Sequence, residues 1–294
     1  MFTVSPYNLV HFVRIPFTGV GLYGGFRGDD WYRDRIEVFK NYTLKSLKAQ
    51  TNQNFLLWLT FRPQEEHNPL TAELLNYLKE EGIQYVTSFE GLLYHDDKYG
   101  GDTKQKMMNA GRVLRSAYRN NTWRDIPQNL KEIWKDKNAT LPRRLQRALE
   151  KLRPYFEEAT DILVTHLDSD DMLAKNAIQQ IQETEWKYEV MTIPMGYIYN
   201  VDTDEIAEWR PKTSPPFHTI RFPALIFFSP TAHMEKMRPY HSHEDAPKLG
   251  KTLMLGTTAY CVTTHNPKNH ISTTWQHPFR GEIVDRYTLN DFGL

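Results

Sequence analysis

Short apolar runs and amphipathic stretches alternate along this chain. The segment "LVHFVRI" (9–15) is a short, largely apolar run that predicts a first strand, and "DDWYRDRIEVFKNYTLKSLKAQ" places Ile36, Phe39, Thr43 or Leu44, and Leu47 on one helical face. Asp29 and Asp30 suit the start of that helix, and Lys45 and Lys48 its end. "NFLLWLTFR" (54–62) predicts a second strand, "LTAELLNYLKEEG" a helix stopped by Gly82, and "IQYVTSF" a third strand. Strand, helix, strand, helix, strand implies a parallel sheet with crossover helices.

Residues 91–140 break the rhythm. They are polar, contain "KYGGDTK", and hold one helical stretch around "KMMNAGRVLRSAY", which marks an insertion. The pattern resumes with Leu141, Leu145, Leu149, Leu152 and Phe156 at helical spacing, then the strand "DILVTHL". After "EVMTIPMGYIYNV" the chain turns rich in Pro, aromatics and His, and predicts irregular strands and loops. Seven of its eleven histidines fall between His218 and His277. The expected architecture is α/β: one Rossmann-like domain with a mostly parallel central sheet flanked by helices and a helical insertion before the 161–167 strand. Residues 1–171 and 172–294 would form its two halves.

Composition narrows the chemistry. With 294 residues, 40% hydrophobic, there is enough chain for a sizeable core. Lys plus Arg and Asp plus Glu balance at 36 each, so no global field draws nucleic acid, and any anion must be held locally. Cys261 is the only cysteine, which excludes an internal disulfide and makes a reducing compartment the default. No window is apolar enough for a transmembrane helix, and "MFTVSPYNLVHFVRIPF" lacks the form of a leader peptide. The expectation is a cytoplasmic protein, with peripheral association to a membrane left open.

The chemistry concentrates in "TDILVTHLDSDDMLAKNAI" (160–178), where a buried run ends against Asp168, Asp170 and Asp171. Ligands bind at the carboxyl ends of strands in open α/β sheets. Two carboxylates one residue apart can offer oxygen ligands to a hard divalent cation that pairs with phosphates. The alternative is that Asp171 caps a helix over "MLAKNAIQQIQ", with the other two as turn residues. Arg14 and Arg62, at the ends of the first two strands, and Arg144, on the helix before the acidic strand, are candidate cations for a diphosphate. Each could equally serve a surface ion pair. Trp209 and the aromatic run 186–200 could stack on sugar rings or pack in the core.

An apolar strand ending in "LDSDD", preceded by the helix-to-strand junction "SLKAQTNQNF", resembles the GT-A fold glycosyltransferases. "YTLKSLKAQTNQNFLLWLTF" and "ILVTHLDSDDML" are similar to bacterial rhamnosyltransferase-type sequences, which tend to have Arg where this chain has His166. The resemblance implies transfer of a sugar from a nucleotide-sugar donor, bound by residues 1–171, to an acceptor hydroxyl on a glycan or other molecule, bound by residues 172–294. It also implies Mn2+ or Mg2+ held by Asp168 and Asp170, with Asp168 on the metal or the ribose. A late histidine, His265 before His270, would complete the metal site. "HSHEDAPKLG" looks like the element that supplies the base of inverting enzymes, with Asp245 as base and Glu244 its neighbour; an acidic first turn of a helix explains the same pattern. Two further readings stay open: a metal-dependent phosphohydrolase or nucleotidyltransferase, and a non-catalytic carbohydrate-binding protein.

Overall fold

The computed structural model describes residues 9–18, 28–92, 103–120, 123–127, 130, 141–156, 159–184, 187–211, 217–256, 258–264 and 275–294. Three strands, β1 (Leu9–Pro16), β2 (Leu56–Thr60) and β3 (Tyr85–Ser88), pair in parallel, as the alternation of elements predicts. They are linked by helical segments running from Asp29 to Lys48 and over Pro69–Glu80. The first stays helical but loosens into a π-turn at Phe39–Thr43. The second ends in a turn where Gly82 adopts φ +69, a left-handed conformation that glycine takes without the Cβ penalty.

After the helices Thr103–Asn120 and Leu141–Leu152 the chain returns as β4 (Asp161–His166), parallel to β1 on the side away from β2. β5 (Met172–Leu173) and the helix Ala177–Glu183 follow, then β6 (Val190–Thr192), β7 (Met195–Asn200), β8 (Glu205–Trp209) and β9 (His218–Pro223). The last strands are β10 (Thr252–Met254), β11 (Thr258–Thr264) and β12 (Arg280–Val284). They form a seven-stranded sheet in the order β10-β6-β9-β4-β1-β2-β3 and a five-stranded sheet in the order β12-β8-β7-β11-β5. In the first sheet only β9 runs antiparallel to its neighbours.

Both faces of the larger sheet are buried. On β1, Val10 and Phe12 enter one core with Trp58, Ile162 and Leu145, while Val13 and Ile15 enter the other with Ile36, Leu57 and Leu74. That is why β1 carries apolar residues on both faces, with His11 and Arg14 its polar exceptions. The second core continues into the smaller sheet through Met172, Leu173, Tyr260 and Cys261. The irregular strands expected after residue 190 are thus regular enough to build a second sheet. The residues directly after Asp171 enter β5, so Asp171 does not cap a helix over "MLAKNAIQQIQ"; helix begins only at Ala177.

Candidate functional site: the carboxylates beyond strand β4

The strand order reverses between β1 and β4, since β2 and β3 extend from one side of β1 while β4 lies on the other. Such a switch point opens a crevice at the carboxyl ends of the two strands. Asp168, Ser169, Asp170 and Asp171 turn through that position directly after β4.

The three carboxylates face different surroundings. Asp168 has a 44% exposed side chain and an Oδ1 that is 3.2 Å from His166 Nε2. Enclosure would raise its pKa, yet His166, Arg35 and His243 together hold it below the usual carboxylate range. Asp170 is buried and its Oδ1 meets Arg35 Nη1 at 2.7 Å. Burial raises its pKa, and the neighbouring charge of Asp168 adds to that; Arg35 opposes both. Asp171 is buried as well, with Oδ1 accepting the Thr263 backbone N–H at 3.2 Å. Its pKa is pushed well up by burial, then by the charges of Asp170 and Asp168. The Thr263 hydroxyl donates to the Asp170 carbonyl, so β11 fastens the turn from behind.

Sequence spacing alone does not single out Arg35, although it carries a signal. It sits four residues after Trp31 on a helix whose buried positions include Trp31, Tyr32 and Ile36, so a guanidinium stands at the edge of an apolar face. It packs with its guanidinium carbon 5.5 Å from the Trp31 ring centroid and donates to Ser169 Oγ at 3.3 Å. A charge placed there needs a buried partner, and Asp170 is that partner.

The junction "SLKAQTNQNF" holds the turn from its other end. Gln50 is buried; its Nε2 donates to the carbonyls of Ala174 at 2.8 Å and Ser46 at 3.0 Å, and its Oε1 accepts the Ile178 N–H at 3.1 Å. Leu173 N–H donates to Ser46 Oγ, and Thr51 N–H to the Lys175 carbonyl at 2.7 Å. The two sequence stretches that carry the family resemblance are therefore one physical unit.

A row of side chains crosses the sheet at the level of the site. Register pairs Trp58 with Arg14, Arg14 with His166, His166 with His218, and His218 with Thr192. The His166 and His218 rings stack with centroids 5.3 Å apart, and Tyr240 Oη lies 3.2 Å from His218 Nε2. His243 joins this group from the 243–249 turn. Burial lowers its pKa, while the charge of Asp168 works the other way. Through His243 the "HED" stretch comes within electrostatic reach of Asp168. His218 and His243 were visible in the sequence only as members of a histidine-rich region.

Glu244 is exposed, and Asp245 is not a spectator carboxylate. Asp245 Oδ2 accepts the N–H groups of His241 at 3.0 Å and Ser242 at 3.2 Å, and Oδ1 meets Lys248 Nζ at 2.5 Å. The hydrogen bond from Lys248 leads the causes that hold its pKa below the usual range. Asp245 thus lies in an acidic first turn, as the pattern also allowed, and closes a capping box with Ser242 there.

The three arginines expected near a diphosphate are engaged by the protein. Arg14 lies over Trp58 with its guanidinium carbon 5.4 Å from the ring centroid and donates to the Leu92 carbonyl at 2.5 Å. Arg144 donates to the carbonyls of Glu90 at 2.9 Å and Gly91 at 2.7 Å, so both hold the segment after β3. Arg62 is buried against Glu65, whose carboxylate also accepts the Thr18 hydroxyl. Trp209 packs in the core beside His277 and Phe279.

Among the described residues no three His, Cys, Asp or Glu side chains form a group that could hold a metal ion. Of the expected ligands, Asp168 and Asp170 share the acidic turn, while His265 and its alternative His270 lie outside the described residues. Asp168 and Asp170 offer carboxylate oxygens of the kind a hard cation takes, and Asp170 is ion-paired with Arg35.

Residues 26–76, which include Arg35 and Gln50, match the family model described as "Putative rhamnosyl transferase". No curated protein matches the chain. Two solved structures resemble it: S. aureus TarS 1-349, at 14% identity and TM-score 0.39, and the same protein in complex with UDP, at 11% and 0.38. Each comparison covers 88% of this chain and 61% of the TarS chain. The chain thus spans about three-fifths of the length of those structures. Among the described residues no helix is long and apolar enough to cross a membrane.

Proposed function

We propose that the protein is a glycosyltransferase that takes its sugar from a nucleotide-sugar donor bound in the crevice between β1 and β4. The carrying observation is the acidic turn: three carboxylates at the switch point of a parallel sheet, pinned by Arg35, Gln50 and Thr263. The match of residues 26–76 to a rhamnosyl transferase model supports the sugar-transfer reading, because that stretch builds the wall holding the turn. The acceptor is a hydroxyl group, on a glycan or another molecule.

In this reading Asp168, the most open of the three acids, faces the donor. Asp168 and Asp170, with His265, would hold a Mn2+ or Mg2+ ion, which when bound supplies Lewis-acid stabilisation to a departing diphosphate. Arg35 fixes the rotamer of Asp170 and sets its charge. Asp171 acts from within the protein, tying the turn to β11.

An inverting transfer needs a base for the acceptor hydroxyl proton. A carboxylate held low by Lys248 and two backbone N–H groups is a weak base, so we assign the proton to Glu244 and the positioning of its turn to Asp245. A thermal-shift panel of nucleoside diphosphates and nucleotide sugars, run with and without Mn2+, tests the proposal. Stabilisation by a nucleotide sugar, followed by sugar transfer to an added acceptor, supports it. Hydrolysis of phosphate esters with no acceptor would support the phosphohydrolase alternative instead.

A further inference from the structure

The insertion contributes a helix, Thr103–Asn120, whose outward face is unusual for a protein with balanced charge. Met107, Leu114 and Tyr118 recur at i, i+7 and i+11 and so share one stripe; their exposures are 65%, 46% and 75%. Val113 and Ala117, on the adjoining face about a quarter turn round the helix, are buried. Trp123, in the following turn and 51% exposed, meets the Tyr118 ring edge-on with centroids 6.2 Å apart. The stripe therefore continues past the helix end as a pair of exposed aromatic rings.

Charge accompanies the apolar stripe. Residues 103–125 contain six Lys and Arg and one acidic residue, Asp125, in a chain whose total is 36 of each sign. Arg115, one residue from Leu114, and Arg124, one from Trp123, are both exposed. A protein partner's core would be matched by the apolar stripe and nucleic acid by the cations; an anionic lipid surface matches both together, with Tyr and Trp at the polar boundary.

We propose that this helix and the Trp123 turn dock the protein on an anionic phospholipid surface, the apolar stripe entering the boundary between headgroups and acyl chains while the arginines pair with lipid phosphates. The argument stands on the helix alone and does not depend on which sugar, if any, is transferred. Docking here would hold the protein at a membrane through its insertion.

Co-sedimentation of the full chain with vesicles tests this. Vesicles of phosphatidylcholine alone are compared with phosphatidylcholine mixed with phosphatidylglycerol, at low and at raised salt. Binding should favour the anionic vesicles by about tenfold or more and weaken as salt screens the arginines. Two variants should each lose most of it: Met107→Ser/Leu114→Ser/Tyr118→Ser, and Arg115→Glu/Arg124→Glu. If the triple variant does not fold by circular dichroism, Leu114→Ser alone and the charge-reversed pair decide. Equal binding to both vesicle types, no binding to either, or variants that bind like the wild type would overturn the proposal. So would a dimer in analytical ultracentrifugation that the apolar variant abolishes, since the stripe would then be covered by a second copy.

Discussion

Arg35 and Asp170 meet at 2.7 Å with side chains only 13% and 8% exposed, joining the helix after β1 to the acidic turn after β4. A buried pair of this kind is costly to break from one side, because the partner left behind keeps its charge without compensation. Arg35→Met should therefore destabilise the protein by about 3–5 kcal/mol at pH 8. The loss should shrink toward pH 5. Without Arg35 the pKa of Asp170 rises further, so at lower pH the group can be protonated in the folded state and the unpaired charge disappears. Urea denaturation at the two pH values measures this; a loss that is equal at both, or absent, would show that the pair does not carry the turn.

Gln50 tests the second anchor. Gln50→Ala would leave the buried Ala174 carbonyl and Ile178 N–H without the amide that now serves them. The expected cost is about 1–3 kcal/mol, set by the Ile178 N–H left unsatisfied, since the Ala174 carbonyl still accepts the Ala177 N–H. Gln50→Glu should be worse than an isosteric change suggests, since a carboxylate cannot donate to the Ala174 carbonyl. Melting temperatures of the two variants provide the check, and wild-type values for both would remove Gln50 from the account.

The two carboxylates of the 243–249 turn should separate into chemistry and fold. Asp245→Asn loses the Lys248 ion pair and weakens the cap, so its melting temperature should fall by the equivalent of about 0.5–2 kcal/mol. Glu244→Gln should fold like the wild type and lose transfer activity by about 10²- to 10⁴-fold, the range for a positioned base. The reverse pattern, with Glu244→Gln fully active and Asp245→Asn stable but inactive, would return the base to Asp245. NMR of the product's anomeric configuration tests the need for a base at all, because retention would remove it.

Two histidines buried in the frame of the site set its acid limit. Burial lowers the pKa of His233 to about 4 and that of His11 to about 3, and His11 is held neutral between Thr165 and Gln182. In the unfolded chain a histidine titrates near ~6.5. The folded state therefore binds fewer protons, and the stability these groups contribute is present above pH ~6.5 and is lost as pH falls toward 4 and then 3. For His233 the loss by pH ~4 is on the order of 3 kcal/mol. His233→Phe should flatten the decline between pH 6.5 and 4, and a decline that keeps its slope would assign it to other groups.

Much of this arrangement was legible in the sequence because local pattern and long-range packing agree. β1, β2 and β4 are short, largely apolar runs buried on both faces, β3 at the sheet edge alternates buried and half-buried positions, and the helices between them keep their periodicity. The acidic turn was legible for the same reason, as charge placed against a buried strand. What sequence spacing could not supply was partnership across the fold. Arg35 and Asp170 are 135 residues apart in number, and only the sheet order places one over the other. Lone arginines were equally opaque: Arg14, Arg62 and Arg144 have the charge a diphosphate needs, but backbone carbonyls and Glu65 take it up. The second sheet was hidden because its pairings are distant in sequence, β7 lying against β11, and because β5 spans only Met172–Leu173.

The central claim, donor binding at the acidic turn, is tested most directly by ligand-induced stabilisation of the wild type and Asp168→Asn. Asp168 is the informative position, since its side chain is the most open of the three and its replacement leaves the Arg35–Asp170 pair intact. With nucleoside diphosphates and Mn2+ present, the matching nucleotide at 100 times its dissociation constant should stabilise the wild type by ~2.7 kcal/mol. Chelator should abolish that shift, and Asp168→Asn, with an unchanged melting temperature in buffer alone, should lack it. No stabilisation of the wild type by any diphosphate or nucleotide sugar, or an equal shift in Asp168→Asn, would contradict the account.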